Sequence, residues 1–272
     1  MPKTDFWSPT YWTNRFSTED HFEWLVQTEY LISLVEEMFC SKAKEGKANI
    51  LHLGCGSSTL GTQLQARLDT ILCGRRSQVV DADYVDPPAF VASAEEEAKV
   101  PFMKVNVLSL ESLVSIPPMS QYLSDGVFEN GWDFVLDKST CDAISTSPNL
   151  SLSFDGNQLL PSDPVERMVY NLSKVTKKNA RWVSVSYSPT RYDFLPFFSG
   201  PSSEKPESVE IHNGPSRDIP HRRASVFGWR VLEKRLIAMT SVPEGRRIRD
   251  GAQERIVYEP ETGVWMYVLE RI

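Results

Sequence analysis

Apolar residues along this chain alternate between a helical and a strand rhythm. Over 22–40 (FEWLVQTEYLISLVEEMFC), Trp24, Leu31, Leu34, Val35, Met38 and Phe39 recur at helical spacing, which predicts one amphipathic helix. A shorter helix is predicted over 9–16, because Ser8-Pro9 supplies an N-cap and a first-turn proline. The run at 49–53 (NILHL) is compact and apolar and stops at the glycine turn GCGSSTLG. Helical spacing returns over 57–68, with Leu60, Leu64 and Leu68 on one face. Further strands are predicted at 77–80, 101–105, 132–136 and 181–187, with helices opening at Pro87-Pro88 and spanning 165–175.

Strands that alternate with helices at this spacing imply a parallel sheet covered on both faces. The last part breaks the alternation. Segments 226–237 and 264–270 are both strand-like with no helix needed between them, so they are expected to close the sheet as an antiparallel pair. Three segments interrupt the pattern as insertions: 117–130, 146–163 and 199–223, the last almost devoid of apolar residues and expected to form a mobile stretch or a lid. The expected organisation is a single domain over 1–272. It divides into a helical cover (1–45), a ligand-binding core (46–190), and an insertion with the closing hairpin (191–272).

Composition narrows the function classes. The 272 residues, 41% hydrophobic, suffice for one sizeable core. A net charge of −7 argues against general nucleic-acid binding, which runs on phosphate neutralisation. Cys40, Cys55, Cys73 and Cys141 form no CxxC pair and have no His cluster beside them, so no metal site is expected. No apolar run approaches the ~20 residues of a membrane span, and MPKTDFWSPTYW lacks the apolar core of a signal peptide. A cytoplasmic protein is expected.

Candidate chemistry collects at the predicted strand ends. Gly54 and Gly56 flank Cys55 between a strand and a helix, where glycine lets backbone approach a ligand and a helix start offers free N–H groups. The dinucleotide fingerprint needs a third glycine where Thr59 stands, which turns the reading from a pyrophosphate towards a nucleoside. In VVDADY, Asp81 and Asp83 compete as a carboxylate for two ribose hydroxyls. Asn106-Val107 follows the third strand, where an amide can meet an adenine edge, though Asn is also common in turns. Asp137-Lys138-Ser139-Thr140-Cys141-Asp142-Ala143-Ile144 follows the fourth strand, where ligands of open α/β sheets sit. Aromatics crowd the N-terminal segment (Phe6, Trp7, Tyr11, Trp12, Phe16, Phe22, Trp24), as a packed helix or as a cover over a base or sulfonium.

Taken together, YWTNRF, EWLVQTEYL, ILHLGCGSS, VVDADY and FVLDKSTCDAI resemble the elongation-factor-1A lysine methyltransferases, the group of methyltransferase-like protein thirteen. The closing FGWRVLEKRLI and VWMYVLERI resemble that group's final hairpin. The resemblance implies a Rossmann-like, seven-stranded class I methyltransferase fold with S-adenosyl-L-methionine as cofactor and S-adenosyl-L-homocysteine as product. It implies cofactor contacts from Trp12, Phe16, Trp24, Gly54, Gly56, Asp83, Tyr84, Asn106, Val107 and Lys138. The chain departs from the group's usual pattern at Phe16, Asn106, Ser139 and Cys141, and SVSYSPTRYDFL follows it only loosely. The implied acceptor is a protein with an accessible lysine. A small-molecule amine, hydroxyl or thiol on the same fold is the alternative, and a non-catalytic cofactor-binding protein the third. Asp137 is expected to orient the acceptor and take its proton, with Asp142 as the other candidate.

Overall fold

The computed structural model describes residues 4–18, 23–43, 48–72, 78–86, 100–115, 131–198, 227–240, 246–250, 253–257 and 262–272. In chain order, α1 (Pro9–Phe16) and α2 (Thr28–Ala43) precede β1 (Asn49–Leu53), α3 (Leu60–Leu72), β2 (Gln78–Asp83), β3 (Phe102–Lys104) and α4 (Leu110–Val114). Then come β4 (Trp132–Lys138), α5 (Thr140–Ile144), the short strands β5 (Phe154–Asp155) and β6 (Gln158–Leu159), and α6 (Pro164–Val175). The chain ends with β7 (Thr176–Ser186), β8 (Trp229–Thr240), β9 (Arg246–Asp250), β10 (Gln253–Val257) and β11 (Thr262–Arg271). The helix expected at Pro87-Pro88, the insertions 117–130 and 199–223, Ser77, Phe22, Gly46 and Cys73 lie outside the described residues.

The main sheet runs β3-β2-β1-β4-β7-β11-β8. Its first five strands are parallel, and β11 is antiparallel to both β7 and β8. This is the Rossmann-like class I methyltransferase arrangement, with a closing hairpin as the sequence pattern predicts. Strand alternation sorts the core into two layers. Leu51, Leu53, Val80, Val135 and Trp182 pack with α4–α6 residues on one face. Ile50, Val79, Phe134, Leu136 and Val183 pack with α2 and α3 on the other.

The structure moves several boundaries and adds two hairpins. The helix expected over 22–40 begins only at Thr28, and Leu25 takes a left-handed φ of +65°. Residues 23–27 form no regular turn because Glu23 and Trp24 are drawn to the strand ends instead. Strand β7 begins at Thr176, directly after α6, five residues earlier than the apolar alternation suggested. The 146–163 insertion carries the β5–β6 hairpin, and β9–β10 forms a second hairpin between β8 and β11.

Among the described residues no helix is long and apolar enough to cross a membrane. Among the same residues, no cluster of His, Cys, Asp and Glu is arranged to hold a metal.

Candidate active site

The strand order reverses between β1 and β4, so the loops after these strands diverge and leave a crevice. The β1 loop is built for close approach. Gly54 and Gly56 take φ values of +67° and +52°. The Gly54 and Cys55 amides both donate to the Ala82 carbonyl, at 2.7 and 3.2 Å. Thr140 Oγ1 donates to the Leu53 carbonyl at 2.9 Å, which ties this loop to α5. A Cβ on Gly54 would overlap that hydroxyl, and one on Gly56 would press against the Phe16 ring at 3.2 Å.

The two acids of VVDADY have separate fates. Asp81 lies beneath α3, its Oδ1 2.7 Å from Nδ1 of the buried His52. Gly61 leaves room for that carboxylate. Asp83 faces the crevice. Its Oδ2 accepts from the Gly56 amide at 2.9 Å, and its Oδ1 accepts from Tyr84 and Val85 amides at 2.6 and 3.2 Å. Burial pushes the Asp83 carboxyl above its ordinary value, against the pull of these amides.

A cavity of about 680 Å³ opens over the strand ends. Phe6, Trp7, Trp12, Phe16 and Trp24 wall one side, with Gly54, Gly56, Asp83, Tyr84, Asn106 and Val107 along the middle. Lys138, Thr140, Asp142 and Tyr187 from the β4 and β7 ends, with Ile144, Leu150, Ser151, Ser153 and Arg167, complete the lining. All ten positions expected to meet a cofactor therefore border one space. The aromatic wall is locked edge to face: Trp12 and Trp24 lie 6.1 Å apart at 72°, and Trp12 Nε1 donates to the Phe6 carbonyl at 2.6 Å. The Arg15 guanidinium sits 4.8 Å over Trp24.

Several expected residues are used differently from their expected roles. Asn106 Oδ1 accepts from the Leu108 amide at 3.0 Å, so its carbonyl end shapes a turn. The Val107 carbonyl accepts from Asn171 Nδ2 at 2.9 Å. Lys138 Nζ is paired with Glu23 and is 4% exposed, against 7% for Glu23. Ser58 Oγ donates to Glu23 as well, at 2.9 Å. Burial pushes the Glu23 carboxyl up, but the Lys138 ammonium and Ser58 hydroxyl outweigh it and hold it below its ordinary value.

Asp137 is the main correction. It does not border the cavity. Its side chain projects to the opposite face of β4 from Lys138, where Trp182 Nε1 donates to it at 2.7 Å and the Cys141 amide at 3.4 Å. Successive strand residues alternate faces, so placing Lys138 on the α2–α3 side forces Asp137 into the other core. Asp142 does border the cavity, yet its carboxylate is occupied. It accepts from Ser186 Oγ at 2.5 Å, Arg191 Nη2 at 2.7 Å and the Tyr187 amide at 3.1 Å. It therefore anchors the turn after β7, held by the Arg191 guanidinium on one oxygen and the Tyr187 amide on the other. Between these two acids, Ser139 takes a left-handed φ of +69°, a conformation that favours glycine.

Burial raises the Asp137 carboxyl from 3.8 to about 6, more than its Ser184 and Trp182 hydrogen bonds lower it. The folded chain thus holds a proton that the unfolded chain releases across this range. Stability attributable to Asp137 falls as pH rises from about 4 to about 6, by about 3 kcal/mol in all. Asp137→Asn does not titrate. In urea unfolding at pH 4.5 and 7, its stability relative to wild type should rise at the higher pH. An unchanged difference would contradict the raised value.

Sequence reasoning missed Glu23, Arg15, Ser58 and Arg167. Glu23 and Arg15 stood inside quoted motifs beside aromatics, which was the available signal. Arg167 had none, because one arginine in VERMVYNLSKV reads as a solvated helix face.

Methyltransferase srdJ of Neurospora crassa is 30% identical to this chain over 202 residues, spanning 72% of this chain and 73% of that protein. Among solved structures, an S-adenosylmethionine-dependent methyltransferase from Clostridium acetobutylicum is 12% identical with a TM-score of 0.43, covering 91% of this chain and 93% of that one. Magnesium protoporphyrin IX methyltransferase from Synechocystis, with bound SAH, is 11% identical with a TM-score of 0.40, covering 96% and 93%. No family model matches the chain.

Proposed function

Since the chain belongs to the methyltransferases, we propose that it binds S-adenosylmethionine in the cavity over β1, β2 and β4 and methylates a small-molecule acceptor there. The observation that carries the acceptor class is the shape of the cavity. One space is bordered by the Gly54–Asp83–Val107 track and also by Ile144, Leu150, Ser153, Arg167 and the aromatic wall. Its volume, about 680 Å³, falls within the roughly 300–1,000 Å³ of small-molecule sites.

The residues fit the cofactor. Gly54 and Gly56 leave bare backbone where a side chain would fill the cradle. Asp83 retains acceptor capacity beyond its three amide donors, enough for ribose hydroxyls. Tyr84 and the Asn106–Leu108 turn flank the base. When bound, the cofactor supplies an electrophilic methyl on a sulfonium, whose leaving group is already good. The chain's own part is then positioning and exclusion of water. Trp12, Phe16 and Trp24 cover the site, Thr140 fixes the glycine loop, and Asp142 holds the Tyr187 turn beside it. The fold acts as a single domain, with the N-terminal residues as its cover.

A lysine side chain is the second reading, favoured by the YWTNRF, EWLVQTEYL and FVLDKSTCDAI strings, which resemble the elongation-factor-1A lysine methyltransferases apart from Phe16, Ser139 and Cys141. Calorimetric titration with S-adenosylmethionine and S-adenosylhomocysteine, beside NAD, tests the cofactor. Both should bind and NAD should not. Asp83→Ala should weaken both by at least about 30-fold, about 2 kcal/mol. Unchanged affinity in that variant would sink the ribose assignment. A labelled-methyl screen of small molecules against lysine-bearing proteins separates the two acceptor classes.

A further inference from the structure

Among the described residues, Arg167 is a buried cation that no carboxylate pairs with. It sits in the first turns of α6 and is 7% exposed. Its Nε donates to the Pro161 carbonyl at 2.8 Å. Its Nη2 is buried with no hydrogen-bond partner, and no carboxylate pairs with it among the described residues. A guanidinium offers five donors in a planar fork matched to a carboxylate, and leaving such donors buried and unpaired is costly. Buried polar groups in native structures are as a rule hydrogen-bonded, so an unpaired one calls for a partner such as a water, an ion or a ligand.

The surroundings agree. Arg167 borders the cavity together with the hydroxyl-bearing Ser151 and Ser153 and the apolar Ile144 and Leu150. The other cation of the cavity wall, Lys138, is already satisfied by Glu23. The acids of the wall are also engaged, Asp83 by backbone amides and Asp142 by Arg191. Among the described residues of the cavity wall, Arg167 is therefore a cation that no carboxylate compensates and that an anionic ligand can meet.

We propose that Arg167, with the Ser151 and Ser153 hydroxyls, forms an anion subsite that receives a carboxylate of the acceptor, whose apolar body lies against Ile144 and Leu150. This rests on the small-molecule reading above and extends it to a substrate class, an apolar carboxylic acid. A bidentate charge-assisted pair in a water-poor site discriminates strongly between an acid and its neutral amide.

The test uses the full chain saturated with S-adenosylhomocysteine, with benzoate and benzamide as probes of like shape and different charge. Binding is read by saturation-transfer NMR titration. Benzoate should bind wild type at least about tenfold more tightly than benzamide, and Arg167→Gln should erase that preference. Arg167→Lys, which keeps the charge and much of the aliphatic stem, should retain part of it and guards against loss of fold. S-adenosylhomocysteine affinity should match in all three proteins. Equal binding of the two probes to wild type, or an unchanged preference in Arg167→Gln, overturns the subsite. A selective loss of S-adenosylhomocysteine binding in Arg167→Gln assigns the guanidinium to the cofactor and overturns it too. If wild type binds no S-adenosylhomocysteine, the cofactor reading fails separately, and the same probes on the unliganded chain still decide the role of Arg167.

Discussion

Gly54→Ala should abolish cofactor binding while leaving a folded protein. Two costs coincide at this position. A φ of +67° is left-handed, which costs a non-glycine residue roughly 1–2 kcal/mol. The added Cβ also falls on Thr140 Oγ1, whose bond to the Leu53 carbonyl joins β1 to α5. Relief requires that hydroxyl to move, losing a hydrogen bond of about 1 kcal/mol, or the loop to shift off the Ala82 carbonyl. Either movement displaces the bare backbone that the cofactor must approach. S-adenosylhomocysteine affinity should fall at least about 100-fold, or about 2.7 kcal/mol, and the unfolding midpoint should drop modestly. Calorimetry and a thermal melt on the same sample check this. Near-wild-type affinity in a variant that melts cooperatively would mean the glycine loop does not form the cofactor cradle.

Glu23→Ala should be strongly destabilising. Removing the carboxylate strands the Lys138 ammonium, 4% exposed, at the end of β4. Stranding one partner of a buried pair costs about 3–5 kcal/mol, because the remaining charge stays desolvated. Glu23 also receives Ser58 Oγ, near the start of α3, so its loss frees Trp24 from the strand ends. Urea unfolding should reveal the stability loss, and cofactor affinity should fall with it. The double change Glu23→Leu with Lys138→Met should recover most of the stability, since matched apolar residues replace such pairs at little cost. It should not recover affinity if the pair also fixes the aromatic wall. A loss below about 1 kcal/mol in Glu23→Ala, the scale of an exposed pair, would show that water reaches Lys138 and that the wall opens in solution.

Much of this protein was legible in its sequence because the signals were local. Short apolar runs ending in glycine or aspartate mark β1, β2 and β4, and the missing helix between β8 and β11 marks the closing hairpin. A glycine loop between strand and helix announces close backbone approach whatever surrounds it. The ten residues that the family resemblance implies around the cofactor also border one cavity. Tertiary structure decided the rest. Asp81 and Asp83 are two residues apart and indistinguishable in a string. His52 on the neighbouring strand and Gly61 on α3 claim the first, and the Gly56 amide turns the second to the crevice. Asp137 and Lys138 adjoin in the motif, but alternation on β4 sends one into the tryptophan core and the other to Glu23. Arg167 looks like a surface charge until the 146–163 segment folds over it. Backbone propensity is a property of neighbours along the chain. The partner of a charge is chosen by packing between residues over a hundred positions apart, as with Glu23 and Lys138, and no local pattern encodes that choice.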